Sequence, residues 1–222
     1  MARCFKLLLL LVSFCSFAST DIIVAAPEEK YFGDDDVRPA ISSVYKKELA
    51  DVENYLNSFY TFSAQFKQSN KEGSIRYGKF YISKPGKIRC EYLKPTPDLL
   101  IINENKVTFY DQRLDEVSYA NSDINSLKLL SVKDLRFNAV DIVEMDKDHQ
   151  FITISIREHV QKFDSPLFLT LKFSHSPIEL KQITITTQED EVDLIFDQIL
   201  YNQPIGKQLF YFHRDIFKER KN

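Results

Sequence analysis

The 222-residue chain predicts a mainly β domain, a large curved antiparallel sheet with one N-terminal helix and a short apolar break near its middle. Three observations carry this reading. From about Phe59 to Phe212 apolar residues recur at every second position, the period of a half-buried strand, with turn residues between the runs. Just before that stretch, Tyr45, Leu49, Val52, Leu56 and Phe59 recur at steps of four, three, four and three, the spacing of one helix face. Only residues 123–136 interrupt the alternation, where Leu127, Leu129, Leu130, Val132 and Leu135 suggest a short helical or irregular connection. A chain of this length buries one core well and is short for two.

The N-terminus is of another kind. Arg3 and Lys6 precede an apolar run, Leu7 to Val12 with Phe14 and Phe17, that is too short to span a bilayer comfortably, which is the pattern of a secretory signal. Two cleavage sites fit, after Phe17-Ala18-Ser19 and after Val24-Ala25-Ala26; the second is preferred, so the signal is taken as residues 1–26. The rival is a retained membrane anchor. A lipoprotein signal fails because Phe14 precedes Cys15, where processing needs a small residue. Loss of Arg3, Lys6 and Asp21 would move the net charge from −3 to −4, and without a basic excess nucleic acid is not an expected partner. Cys4 and Cys15 leave with the signal, so the mature chain keeps Cys90 alone and forms no internal disulfide. Residues 27–41 are acidic, contain Pro and Gly and have no apolar period, and read as a flexible leader; Asp34-Asp35-Asp36 lacks a spaced ligand set and reads as solvated tail.

The helix follows, with Ser42 or Ser43 as its expected cap. Phe62, Ala64 and Phe66 then alternate with Ser63, Gln65 and Lys67, and Phe80 and Ile82 with Tyr81 and Ser83. Lys84-Pro85-Gly86 makes a turn, since Pro fixes φ and Gly tolerates a positive one. Ile88, Cys90 and Tyr92 come next, alternating with Arg89 and Glu91, which are expected in solvent. Leu99 to Ile102 and Val107 to Tyr110 flank an Asn103-Glu104-Asn105-Lys106 hairpin turn. After the break, Phe151 to Ile156, Phe168 to Phe173, Ile183 to Thr186 and Val192 to Phe196 are short, β-branched or aromatic runs bounded by turns. A sheet of this length either closes on its own side chains or stays partly open and leaves its concave face to be filled by something else.

Catalytic chemistry is hard to find. His149, His159, His175 and His213 are scattered and have no metal-ligand spacing, and five glycines leave little material for a phosphate-cradling loop or a nucleophile elbow. Asp146-Lys147-Asp148 opens like a calcium loop, but Phe151 and Arg157 stand where Gly and Glu would be required, so a hairpin turn is expected. Cys90 shares a face with Ile88 and Tyr92 and reads as a small buried hydrophobe rather than a reactive thiol. What stands out is apolar: 18 Phe and 11 Tyr, many at alternating strand positions.

The run Ala64-Gln65-Phe66-Lys67-Gln68, then Gly78 through Tyr92 with its Lys-Pro-Gly turn, Pro95, and Leu100-Ile101-Ile102 through Phe109-Tyr110-Asp111 resembles the outer-membrane lipoprotein carrier (LolA) family. Leu180-Lys181-Gln182-Ile183 agrees, as does the stretch from Asn202 to Phe210 before an expected final strand, so the resemblance covers about residues 43–213. It implies an incomplete antiparallel barrel, a half-barrel, with an N-terminal helix and short helical lid segments closing its apolar concave face. The implied domain spans residues 42–217, with a polar tail at 218–222. It implies a periplasmic carrier, not an enzyme, without cofactor or metal and expected to be a monomer. Its cargo would be acylated lipoproteins, its donor an inner-membrane lipoprotein-releasing ABC transporter and its target an outer-membrane lipoprotein acceptor. On this resemblance the lipid cavity is expected to be lined by Phe62, Phe66, Phe80, Ile82, Ile88, Cys90, Tyr92, Leu100 and Ile102, under a lid containing Leu127, Leu129 and Leu130. Lys84 takes the place of the family's basic latch residue, often Arg, although Lys lacks the planar fork of Arg. Cys90 and Thr108 stand where the family often has Trp, departures expected to widen or reshape the cavity. A periplasmic lipid- or lipoprotein-sensing module on the same scaffold is the competing function, and a hydrolase lacks any nucleophile and base.

Overall fold

The computed structural model describes residues 41–214 apart from 42, 96, 122–127 and 159–165; the signal, residues 27–40 of the leader, Ser42, Leu127, His159 and the tail lie outside the described residues. Helix α1 (Lys46–Asn57) buries Leu49, Val52 and Leu56, the stripe that the spacing predicts. Ile41, Ser43 and Val44 before it are helical too, and the Tyr45 amide donates to the Ile41 carbonyl at 3.0 Å; Tyr45 is the cap residue of α1 and makes no side-chain cap bond. The strands are β1 (Thr61–Asn70), β2 (Ile75–Ser83), β3 (Lys87–Tyr92), β4 (Leu99–Asn103), β5 (Lys106–Asp111), β6 (Glu116–Asn121), β7 (Asp141–Lys147), β8 (Phe151–Glu158), β9 (Leu167–His175), β10 (Ile178–Thr186) and β11 (Glu191–Tyr201).

All eleven form one antiparallel sheet in the order β6-β5-β4-β3-β2-β1-β11-β10-β9-β8-β7. The first and last strands meet at its centre, so its free edges are β6 and β7, the two strands on either side of the mid-chain break. The sheet is open, a half-barrel as expected, and the connection from β6 to β7 has to run from one edge to the other. Register shifts at Ser63/Gln65, Leu180/Gln182 and Ile142/Glu144 add local bends to an already twisted sheet. The hairpin turns follow their residues: Glu104 takes φ 55° between β4 and β5, Gly86 takes φ 73° between β2 and β3, and Asp148 Oδ1 accepts from the Gln150 and Phe151 amides. Asp146 and Lys147 therefore end β7, and Asp148 opens the hairpin turn to β8.

The concave face, α1 and the break share one continuous apolar core. A second cluster sits on the convex face of β3 to β6, where Leu99, Ile101 and Tyr110 pack under Phe210 with Leu209, Phe212 and Ile205 around it. Asn202 directs the chain there from β11: at φ 55°, its amide donates to the Thr61 carbonyl and its side chain accepts from the Tyr60 amide. No strand follows β11 among the described residues; the stretch before the expected final strand holds a single 3-10 turn, Lys207–Phe210. This strap corrects a second expectation. Arg89 is not solvated but 4% exposed, because the segment covers it, and its guanidinium bonds Glu91 at 2.8 Å and the Leu209 carbonyl at 2.8 Å.

Candidate functional site: a sealed concave face

The nine residues expected to line the cavity all point into the one concave core, none more than 5% exposed. Strand pairing explains the grouping. Phe62 faces Ile82 across β1 and β2, Ile82 faces Ile88, and Ile88 faces Ile102; Phe80 faces Cys90, and Cys90 faces Leu100. A period of two keeps every member of these rows on the same side. Phe66 pairs with Gly78, where an added Cβ would lie 2.4 Å from the Phe66 ring, so glycine makes room for the aromatic. Phe62 meets Phe80 and Phe196 edge-on, Phe80 and Phe196 are tilted, all with centroids 5.1–6.2 Å apart, and Phe66 meets Tyr92 edge-on at 5.3 Å.

The face extends further than expected. Ile152, Ile154 and Ile156 on β8, Leu169, Leu171 and Phe173 on β9, and Leu194 and Phe196 on β11 belong to the same core. Their alternation is plain in the sequence; what it lacks is any sign that both halves of the sheet curl around one interior.

Cys90 is buried, and that burial pushes its thiol up to about 12, so it remains protonated and serves as a small hydrophobe. Thr108 lies on the other face: it pairs with Ile101 of the convex cluster, whereas Phe109 beside it faces the interior. Its departure from the family pattern cannot shape the cavity. At one end of the face Tyr92 donates to Gln68 Oε1 at 2.6 Å under the Arg76 guanidinium, 3.8 Å from the ring, and burial raises the Tyr92 pKa.

The segment expected to form the lid is described from Leu129 to Phe137. Leu129, Leu130, Leu135 and Phe137 turn inward and are at most 7% exposed; Phe137 extends the expected set, and Leu127 lies outside the described residues. Lys84 does not bond this segment. Its ammonium donates to the Leu56 carbonyl in the last turn of α1 and lies 4.4 Å from the Phe59 ring centroid. Burial pushes its pKa down to about 8, opposed by the charge of Asp134 in the lid. The lid is held next door, where the Gly86 amide donates to the Ser131 carbonyl at 2.8 Å. On the opposite side α1 is tied to the sheet through Tyr55: at the register shift in β10, the Leu180 amide donates to the Tyr55 hydroxyl at 3.0 Å. That hydroxyl meets Tyr201 at 3.0 Å, and Tyr201 donates to Glu179.

Such a site, apolar, closed by a segment with little regular structure and fastened by a few polar bonds, suits a greasy ligand. Residues 57–213 match the family described as outer membrane lipoprotein carrier protein LolA. The chain belongs to the LolA family. Its similarity to individual LolA relatives is distant. It is 28% identical over 184 residues to an outer-membrane lipoprotein carrier protein of Coxiella burnetii (78% of this chain, 85% of that one). It is 26% identical over 171 residues to an uncharacterized protein of Rickettsia prowazekii (74% and 76%). A solved LolA superfamily protein from Nitrosomonas europaea covers 75% of this chain and 97% of its own, at 6% identity and a TM-score of 0.42. LolA proteins are carriers rather than enzymes, and no helix among the described residues is long and apolar enough to cross a membrane.

Proposed function

We propose that the chain receives acylated lipoproteins from an inner-membrane ABC transporter, carries them through the periplasm and delivers them to an outer-membrane acceptor. It does so as a monomer, after loss of residues 1–26. The observation that carries this is the continuous concave face, apolar across both halves of the sheet and covered by a lid, in a LolA-family chain. Each methylene withdrawn from water is worth about 0.8 kcal/mol, so a lipid anchor of two or three chains needs such a shield between membranes. In the closed state the shield is filled by its own side chains, with Phe62 and Ile82 fully buried. Acyl chains enter only if the segment at 129–137 lifts and the lining side chains rearrange. Net affinity is then lipid burial minus the cost of opening, which keeps binding reversible. Lys84 contributes by holding the end of α1 against the β2–β3 turn. Direction along the route comes from the two partners, since a ligand shifts an equilibrium only through differential affinity.

The test is gentle isolation of the protein from periplasm, followed by native mass spectrometry. Acylated protein or lipid should accompany the chain, which should itself begin after residue 26. Recovery of bare protein under conditions that retain lipid on a known carrier would reject the reading.

A further inference from the structure

The lid's closest hold on α1 comes from two residues outside the expected site. Asn57 bonds Leu135 twice: its Nδ2 donates to the Leu135 carbonyl at 3.1 Å, and its Oδ1 accepts from the Leu135 amide at 2.8 Å. One turn earlier Glu53 Oε1 accepts from the Phe137 amide at 2.7 Å, and its Oε2 reaches Arg136 at 3.4 Å. Leu135 lies outside helices and strands and Phe137 opens a 3-10 turn, so both amides take their partners from side chains. Leu135 and Phe137 are also side chains that seal the interior, so the clasp sits where the lid makes its closure.

We propose that Asn57 and Glu53 are positioning residues for cargo uptake, a clasp that sets how often the lid stands open; this rests on the carrier reading above. Three features support it. When the lid lifts, both amides and both side chains pass to water and find new partners there, so the bonds release at small net cost, unlike a buried pair broken one-sidedly. The helix itself stays in place, because Tyr55 holds it to the β10 bulge and Glu48 holds it to Lys147 of β7 at 2.6 Å. And Asn57 directly follows Leu56, the acceptor of Lys84, so Lys84 acts on the lid at one remove: it fixes the end of the helix from which the clasp projects. The clasp changes the population of the open state and leaves the affinity of that state for acyl chains unaltered.

The experiment is hydrogen exchange by mass spectrometry on the full chain, native and with Asn57→Ala, Glu53→Ala or Glu53→Gln, together with the rate of uptake of a triacylated lipopeptide from micelles. Peptides covering 128–140 should exchange on the order of tenfold faster in the two alanine variants, while those of β8 to β10 keep native rates. Glu53→Gln should stay near native, because an amide oxygen still accepts from Phe137. Uptake should quicken in step with lid exchange. Native exchange at 128–140 in both alanine variants overturns the clasp, as does acceleration spread equally over β8 to β10. Faster lid exchange with unchanged uptake overturns the gating role. Failure of the native chain to take up the lipopeptide rejects the carrier reading, and the exchange data then still report on the clasp.

Discussion

The two halves of the sheet share a concave interior and differ on the outside. In the back half, β7 to β11, the convex face carries a cross-strand row of Glu144, Ser155, Thr170, Thr184 and Asp193, with Thr153 between Asp146 and Lys172 beside it. The burial pattern there is a clean alternation, as on β8 and β9. In the front half the strap from β11 covers the convex face, and β4 is buried at four consecutive residues, Leu99 to Ile102. A strand with water on one side has to alternate, whereas one buried on both sides reads as a continuous apolar run. Leu99-Leu100-Ile101-Ile102 is therefore a sign of double cover, and the threonine-rich rows are a sign of its absence.

The largest expected difference between the halves follows from the strap. Phe210 is 1% exposed against Leu99, Ile101 and Tyr110. Phe210→Ala should cost about 3–4 kcal/mol of unfolding free energy. Thr170→Ala, on the bare convex face of the back half, loses one hydroxyl contact to Ser155 at 3.0 Å and should cost less than about 1 kcal/mol. Urea denaturation of the two variants makes the comparison. Equal midpoints would mean that the strap is not part of the cooperative unit.

This contrast also marks what was legible in the sequence. Period-two alternation located the strands and the Lys-Pro-Gly and Asn-Glu-Asn-Lys turns located the reversals, because both depend on neighbours in the chain. The inward set on β1 to β4 followed from the same alternation once the resemblance singled out that face. Alternation alone puts Arg89 in solvent, because its carbonyl partner, at Leu209, lies 120 residues further on. Ile205, Leu209 and Phe212 fall at steps of four and three, but Pro204 and Gly206 flank the first of them and the run is short, so nothing local says what they cover. The clasp was invisible for the same reason: Asn57 and Leu135 are 78 residues apart, and an Asn after a helix reads locally as a cap or a solvated end. Thr108 was assigned to the cavity from family position alone, although its neighbours Val107 and Phe109 already put it on the opposite face.

The helix is moored to both halves by different chemistry, and this gives the middle-sized effect. Tyr55 serves the back half through neutral hydrogen bonds to the Leu180 amide and Tyr201. Tyr55→Phe keeps the ring contacts with Phe59 and Phe173 but leaves the Leu180 amide at the bulge without its acceptor. A loss of about 1–2 kcal/mol is expected, with faster hydrogen exchange at Leu180. Unchanged exchange there would mean that the bulge is held by the ladder rather than by the helix.

The front half is moored through the Lys84 ammonium, so raising the pH above 8 should act on that mooring, and with a small effect. Burial pushes Lys84 down to about 8, whereas an unfolded lysine titrates near 10.5. Below pH 8 the group is charged in both states and the cost of burying the charge is present in full. Between the two values the folded state has released its proton while the unfolded chain still holds one, so stability rises with pH, by at most about 1.4 kcal/mol per unit. Cys90 works in the opposite sense. Its folded value of about 12 lies above its ordinary 9.0, so stability is lost as the unfolded thiol ionises above pH 9. The clean window is pH 8 to 9. Lys84→Met keeps an apolar stem over Phe59 and removes the titrating group, so it should be no less stable than the native chain at pH 7. Its melting temperature should lack the native rise between pH 8 and 9. Thermal unfolding of both proteins across that range reads the difference directly. Parallel curves would place the Lys84 amine in solvent rather than against the end of α1, and the two halves would then differ only in what covers them.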